Sequence, residues 1–105
     1  MPHQSSDRPW YILGAGAIGC LIASQLAKHQ HPVYLVVKKA LSPTIALSYQ
    51  NDHIQQLFEI PIVDRDSVTN EIRQLIVTTK AYDAVAATQS LANVLAANAE
   101  ILLKR

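Results

Sequence analysis

The chain has 105 residues, half of them hydrophobic, with a formal net charge of +1 and a single cysteine, Cys20. That is room for one domain with a real core and not for two, and a near-neutral chain whose largest basic clusters are Lys38-Lys39 and Lys104-Arg105 excludes nucleic acid and anionic membranes as expected partners. One cysteine excludes an internal disulfide and fits a reducing compartment, so the cytoplasm is the expected location, while Met1 to Trp10 lacks the apolar core of a signal peptide and no later apolar run is long enough to span a bilayer.

Residues 1–9 are polar, carry two prolines and are expected to form a flexible extension to a domain covering 10–105. Trp10 to Leu13 is apolar at every position, as suits a central parallel strand covered on both faces. Gly14-Ala15-Gly16-Ala17-Ile18-Gly19 follows at once, and then a helical pattern begins. Ile18, Leu21, Ile22, Gln25, Leu26 and His29 recur along one predicted face, with Ser24, Lys28 and Gln30 off it. His31-Pro32 ends that helix, because the residue before a proline is pushed out of the α region. Val33 to Val37 is rich in β-branched residues and predicts a second buried strand, which completes a βαβ unit.

After Lys38-Lys39 the pattern changes. Ile45, Leu47 and Tyr49 alternate with polar or small residues, and Ile54, Phe58, Ile60 and Ile62 return in step after a polar turn. Residues 44 to 63 therefore predict a hairpin at the sheet edge, an edge that Pro61 also favours. Residues 64 to 71 read as a loop or a single helical turn, and Leu75 to Thr79 as a buried strand beside the first. Residues 82 to 97 place Val85, Thr88, Leu91, Ala92 and Leu95 on one helical face, and Ile101-Leu102-Leu103 is the last short strand. The expected fold is α/β: a Rossmann-type, doubly wound, mainly parallel sheet with an edge hairpin, in a single domain.

In that setting the glycine run reads as a phosphate-binding turn. Gly14 permits the tight strand-to-helix turn, Gly16 lets a pyrophosphate approach the backbone, and Gly19 lets the helix lie close on the strand. The free N–H groups of the first helical turn face the anion. The spacing alone is a weak signal, and the flanking strand and helix supply its context. Ligands of such sheets bind at the carboxyl ends of the strands, beside the switch point, which Gly14 and Lys80 would flank. The Lys80 ammonium could reach a phosphate, a nicotinamide ribose or a substrate carboxylate; the plain alternative is a solvated lysine that begins a helix.

The end of the second strand discriminates between cofactors. An NAD site normally has a carboxylate there, accepting from the ribose hydroxyls, whereas this chain has Lys38 and Lys39. Lysine attracts a 2′-phosphate that a carboxylate would repel, so NADP(H) is the expected ligand and Lys38 the expected contact, with a shared role for Lys39 left open. Other chemistry has little support. His29 and His31 cannot share a helical face, His3 and His53 are far from them in sequence, and no metal-ligand spacing is present. Cys20 reads as a small core residue rather than a reactive thiol. Asp64, Asp66 and Asp83 form no acid-base pair, Asp83 fitting the start of a helix better, and no catalytic residue is assigned.

Tyr11 to Gly19, the basic end of the second strand, the hairpin, and Leu75-Ile-Val-Thr-Thr-Lys-Ala-Tyr82 together resemble the N-terminal domain of ketopantoate reductase (2-dehydropantoate 2-reductase), from about Trp10 to Leu103. The resemblance implies NADPH-dependent reduction of 2-dehydropantoate to pantoate, on the route to pantothenate. It also implies that Gly14 through Gly19 hold the pyrophosphate, that Lys38 stands where the family usually has an arginine at the 2′-phosphate, and that Lys80 lies at the nicotinamide end. The family continues into an Asn-Gly loop and a helical C-terminal domain with the catalytic lysine, where this sequence reads Lys104-Arg105. The expectation is therefore a cofactor-binding fragment without useful activity alone, partnered by a separate catalytic domain or by self-association through the exposed docking face. A stand-alone NADP(H) sensor or regulatory module without turnover is the alternative, and a β-hydroxyacid dehydrogenase the runner-up family.

Overall fold

The apolar run at the start of the domain forms strand β1 (Trp10–Leu13), and α1 (Ala17–Lys28), β2 (Val33–Val37), β3 (Thr44–Gln50), β4 (Gln55–Asp64), a 3-10 turn (Arg65–Ser67), β5 (Ile72–Val77) and β6 (Leu95–Leu103) follow in chain order. The structure, a computed structural model, describes residues 8–14, 16–50, 53, 55–78, 86, 88, 89 and 91–103. Within these residues, six strands make one sheet in the order β3-β4-β2-β1-β5-β6. Every neighbouring pair is parallel except β3 and β4. The expected α/β, Rossmann-type doubly wound sheet with an edge hairpin is thus the observed architecture. No helix among the described residues is long and apolar enough to cross a membrane.

Alternation along the parallel strands divides the core in two. Ile12, Leu35, Ile60 and Ile76 point to the face that α1 covers, together with Ala23. Tyr11, Leu13, Val36, Leu75 and Val77 point to the other, where Leu91, Val94 and Val68 meet them. Ile12 and Leu35 are wholly shielded from solvent, and burying each such side chain contributes about 1.5–3 kcal/mol relative to leaving it exposed. On the second face, Tyr11 and Tyr34 are register partners whose rings stack 5.2 Å apart at 18°. Burial first, and Tyr34 beside it second, push the Tyr11 phenol above its usual range, against a hydrogen bond from Asn70.

The hairpin lies at the edge with Ile45 opposite Ile60 and Leu47 opposite Phe58, in the expected step. The outermost strand is β3, so Pro61 belongs to the strand next to the edge. It is tolerated because β4 pairs with β2 only from Ile62 onward; the missing N–H of Pro61 falls at the changeover.

Helix α1 is rotated from the face that its large apolar residues suggest. Gly19, Ala23 and Ser24 are its buried residues, while Ile18 and Leu21 are 39% and 57% exposed. Small side chains let the helix backbone approach the sheet, and Cys20, Ile22, Leu26 and Ala27 fill in around that contact. Ser24 tolerates burial because its hydroxyl donates to the Leu21 carbonyl at 2.8 Å.

At its carboxyl end α1 closes in a Schellman motif. The Gln30 N–H donates to the Ala27 carbonyl and the His31 N–H to the Leu26 carbonyl, each at 2.9 Å. Gln30 carries the left-handed conformation, with φ 65°, a role for which glycine is better suited. Gln30→Gly is therefore expected to stabilise the fold by about 1 kcal/mol, seen as a rise of several degrees in thermal melting. A fall in melting temperature would contradict this account of the turn.

The helix expected over 82–97 is corrected at its carboxyl half. Residues 82–85, 87 and 90 lie outside the described residues, and Ala86, Thr88 and Gln89 are helical. The chain then turns, with the Leu91 N–H on the Thr88 carbonyl and the Val94 and Leu95 N–H groups on the Leu91 carbonyl. From Leu95 it is strand. The Ile72 N–H hooks β5 to the Val94 carbonyl at 2.7 Å, and the ladder runs from Ile72–Leu95 to Gln74–Glu100 through a register shift before Leu75, Ile76 and Val77 pair with Ile101, Leu102 and Leu103. An alanine-rich segment with ample helix propensity is thus drawn into the sheet by pairing with β5. The short strand expected at Ile101–Leu103 is the regular part of β6.

Candidate functional site

The carboxyl ends of β1, β2 and β5 meet where β1 passes into α1, and β1 has β2 on one side and β5 on the other. The chain moves outward through β2 to the hairpin and then returns to the opposite side of β1, so the switch point lies between β1 and β5. Gly14 begins the turn there. Its φ is 112°, a conformation that side chains rarely adopt, and its N–H donates to the Val36 carbonyl at 2.9 Å. Ala15 lies outside the described residues.

Gly16 is the N-cap of α1, with φ −74° and ψ −170° and no side chain capping the helix. That backbone is open to any residue, and a Cβ at Gly16 would meet nothing within 4 Å. The fold itself therefore does not demand glycine here; the hydrogen in place of a side chain leaves the helix end open to a ligand. The first helical bond runs from the Cys20 N–H to the Gly16 carbonyl, so the N–H groups ahead of Cys20 have no carbonyl within the helix. Ala17 and Ile18 are exposed in this first turn, and it contains no acidic residue. Uncapped N–H groups and the positive end of the helix dipole make this a place for an anion.

Gly19 has the opposite character. A Cβ there would lie 2.3 Å from the Gly14 carbonyl oxygen and 3.0 Å from Thr78 Oγ1. The helix can begin this close to the turn only without a side chain at that position. Gly19 is thus kept by the packing of the chain on itself, whereas Gly16 faces solvent.

Lys38 and Lys39 are exposed, immediately beyond the end of β2. Asp64, the register partner of Val37, holds their turn: its carboxylate accepts the Ala40 N–H. Lys80, the other basic residue expected at the switch point, lies outside the described residues, as do Thr79 and Asp83. The Cys20 thiol is pushed up by burial, which disfavours the reactive thiolate. Among the described residues, no three His, Cys, Asp or Glu side chains gather closely enough to hold a metal ion.

Two residues that sequence reasoning passed over shape the site. Thr78, just beyond β5, reaches back to β1 through both its N–H and its hydroxyl, each 3.0 Å from the Leu13 carbonyl. Asp64, which the sequence offers only as an acid-base candidate, acts as a brace for the lysine turn. Thr78 stands in the sequence within the Leu75–Tyr82 run that carries the family resemblance, with no role of its own attached; for Asp64, 24 positions from Ala40, the sequence carries no such signal.

A wider hollow of about 500 Å³, bordered by His31, Tyr34 and Glu59, opens beside Gln30 and Pro32. It lies at the amino end of β2 and the carboxyl end of α1, away from the strand ends where such sheets hold their ligands. The glycine turn is therefore the better candidate.

A family model for "Ketopantoate reductase PanE/ApbA" matches residues 10–104. Among solved structures, the dimeric ketopantoate reductase of Staphylococcus aureus is similar at 23% identity and TM-score 0.68, over 90% of this chain and 32% of that one. A D-mandelate dehydrogenase, solved with NADH and anilino(oxo)acetate, is similar at 22% identity and TM-score 0.76, over 90% and 32% of the two chains. The 2-dehydropantoate 2-reductase of Methylococcus capsulatus follows at 19% identity and TM-score 0.67, over 90% and 32%. At these identities the likeness is one of fold, and the chain spans about a third of the length of each of these proteins.

Proposed function

The chain belongs to the ketopantoate reductase PanE/ApbA family, and on that premise we propose that it is the NADPH-binding domain of an oxidoreductase that reduces 2-dehydropantoate to pantoate. The observation that carries the cofactor reading is the opening at Gly16, where a helix end without a cap or an acidic side chain meets space that a Cβ would fill. In this reading the backbone from Gly14 through Gly19, with Ala15, Ala17 and Ile18, holds the pyrophosphate. Lys38 holds the 2′-phosphate, and Lys80 belongs to the nicotinamide end. The nicotinamide, when bound, supplies the hydride. The residues of this chain bind and orient the dinucleotide, and a carboxylate-bearing ketone is the proposed substrate of the larger enzyme.

The surface around this end of the sheet favours a domain that docks against another over a stand-alone sensor. Ile18 and Leu21 on the first turns of α1, and Ile101 and Leu102 near the end of β6, all stand exposed. Exposed apolar side chains at the start of α1 and on the edge strand β6 are surface that a docking partner would cover. A separate catalytic domain, or a second copy of the chain, is the proposed partner for it.

The reading is tested by titrating the chain with NADPH, following energy transfer from Trp10 to the nicotinamide. Gly16→Thr is the informative variant, because threonine caps a helix about as well as glycine and its side chain enters open space. It is expected to leave the melting temperature within a few degrees and to weaken NADPH binding by at least about tenfold, or 1.4 kcal/mol. Unchanged binding in this variant would remove the pyrophosphate from the glycine turn. Ketopantoate-dependent consumption of NADPH then reports whether the larger enzyme's reaction is the proposed one.

A further inference from the structure

We infer that Thr78 is a positioning residue for the glycine turn, an inference that rests on the cofactor reading above. The β1–β5 ladder pairs Leu13 with Val77, and the next residue on β5 extends that connection. The Thr78 N–H donates to the Leu13 carbonyl at 3.0 Å. Its hydroxyl donates to the same carbonyl at 3.0 Å and lies 3.4 Å from the carbonyl of Gly14. The same oxygen is 3.0 Å from the position of a Cβ on Gly19. Thr78 therefore touches both ends of the turn, the glycine that starts it and the glycine at which the helix closes over it.

The Gly14 carbonyl is the part of the turn that most needs restraint. Gly14 has φ 112°, and a glycine can leave that conformation with little steric resistance. A rotation of the peptide that follows Gly14 would redirect the chain as it enters α1, whose first N–H groups face the proposed anion. The Thr78 hydroxyl bonds the Leu13 carbonyl at 3.0 Å and stands at the limit of hydrogen-bond reach of the Gly14 carbonyl at 3.4 Å, so a swing of that peptide away from Thr78 gives up the second contact. Thr78 is also two residues before Lys80 in sequence, so the strand that leads to the nicotinamide end is pinned to the turn that takes the pyrophosphate. Thr78 need not touch the cofactor; it fixes the N–H groups that do.

The test compares Thr78→Val, which removes the hydroxyl at nearly constant volume, with Thr78→Ser, which keeps it. Each is titrated with NADPH and, separately, with adenosine 2′-monophosphate, a fragment that carries the 2′-phosphate and no pyrophosphate. The expected result is an approximately tenfold weaker NADPH complex for Thr78→Val, adenosine 2′-monophosphate binding within about twofold of wild type, and recovery of NADPH binding in Thr78→Ser. General unfolding would weaken both ligands together, so equal losses overturn the inference, as does failure of serine to restore binding. If Thr78→Val does not fold, Thr78→Ala removes the same hydroxyl without a methyl group against Gly19 and is read in its place. Wild-type protein that binds NADPH while Thr78→Val binds it equally well sinks the role of Thr78 alone. Wild-type protein that fails to bind NADPH overturns the cofactor reading, and this inference with it.

Discussion

Gly19→Ala is expected to be the most damaging single substitution in the glycine turn, costing about 3 kcal/mol of stability and roughly 15 °C of melting temperature. The added methyl would sit 2.3 Å from the Gly14 carbonyl oxygen, 3.2 Å from its carbonyl carbon and 3.0 Å from the Thr78 hydroxyl. Two of those three neighbours are backbone, so no rotamer change relieves the contact. Helix α1 must lift from β1, and the contact of Ala23 with the buried face loosens with it. Thermal melting of the variant beside Gly16→Thr measures the contrast. The glycine that faces Gly14 should govern stability, and the glycine that faces solvent should govern ligand binding. Equal melting temperatures for wild type and Gly19→Ala would show that α1 does not pack as closely as described.

Lys38→Asp is expected to have the largest effect on cofactor choice. Attraction for a 2′-phosphate is replaced by repulsion, and charge-assisted hydrogen bonds contribute about 1.5–3 kcal/mol each. NADPH binding should fall by about 100-fold, whereas NADH, which lacks that phosphate, should change by less than about threefold. Because Lys38 is exposed, the difference should shrink as salt rises, over a screening length of about 8 Å at physiological ionic strength. The same titrations with Lys39→Asp report whether the second lysine shares the role. Losses of equal size for the two cofactors would sink the assignment of Lys38, and with it the preference for NADPH.

Much of the fold is legible in local residue pattern. Trp10–Leu13 and Val33–Val37 are uninterrupted apolar runs, and both are strands with the expected bounds. The hairpin announced itself through period two, and its side chains meet in the expected step. Of the loop or single helical turn expected over 64–71, the structure has the turn, as the 3-10 segment Arg65–Ser67. In each case the controlling physics acts over a few residues: rotamer crowding, alternation of faces, and the breaking of regular structure by polar turns.

The misreadings have a common cause. The large apolar residues of α1 suggested a face through Ile18 and Leu21, but a helix approaches a sheet most closely on its smallest residues, Gly19 and Ala23. Leu91 and Leu95 fall at helical spacing and Ala92, Ala96 and Ala97 favour helix, yet β6 begins at Leu95 because β5 offers it a ladder. The candidate site divides in the same way. Gly14, Gly16 and Gly19 could be recognised from spacing between a strand and a helix, and Lys38 from its place after the second strand. Thr78 acts on residues 64 and 65 positions earlier, and no local pattern carries that information.

The sequence by itself determined the order of strands and helix, the edge hairpin and the position of the glycine turn, since period, propensity and turn chemistry are short-range properties of the chain. Only the tertiary structure decided which side of α1 meets the sheet, where β6 starts, how Asp64 braces the lysine turn, and why Gly16 and Gly19 differ. Those outcomes depend on which strands become neighbours and on how closely two backbones can approach. At Gly19 the approach leaves no room for a side chain, and at Gly16 it leaves space for a ligand.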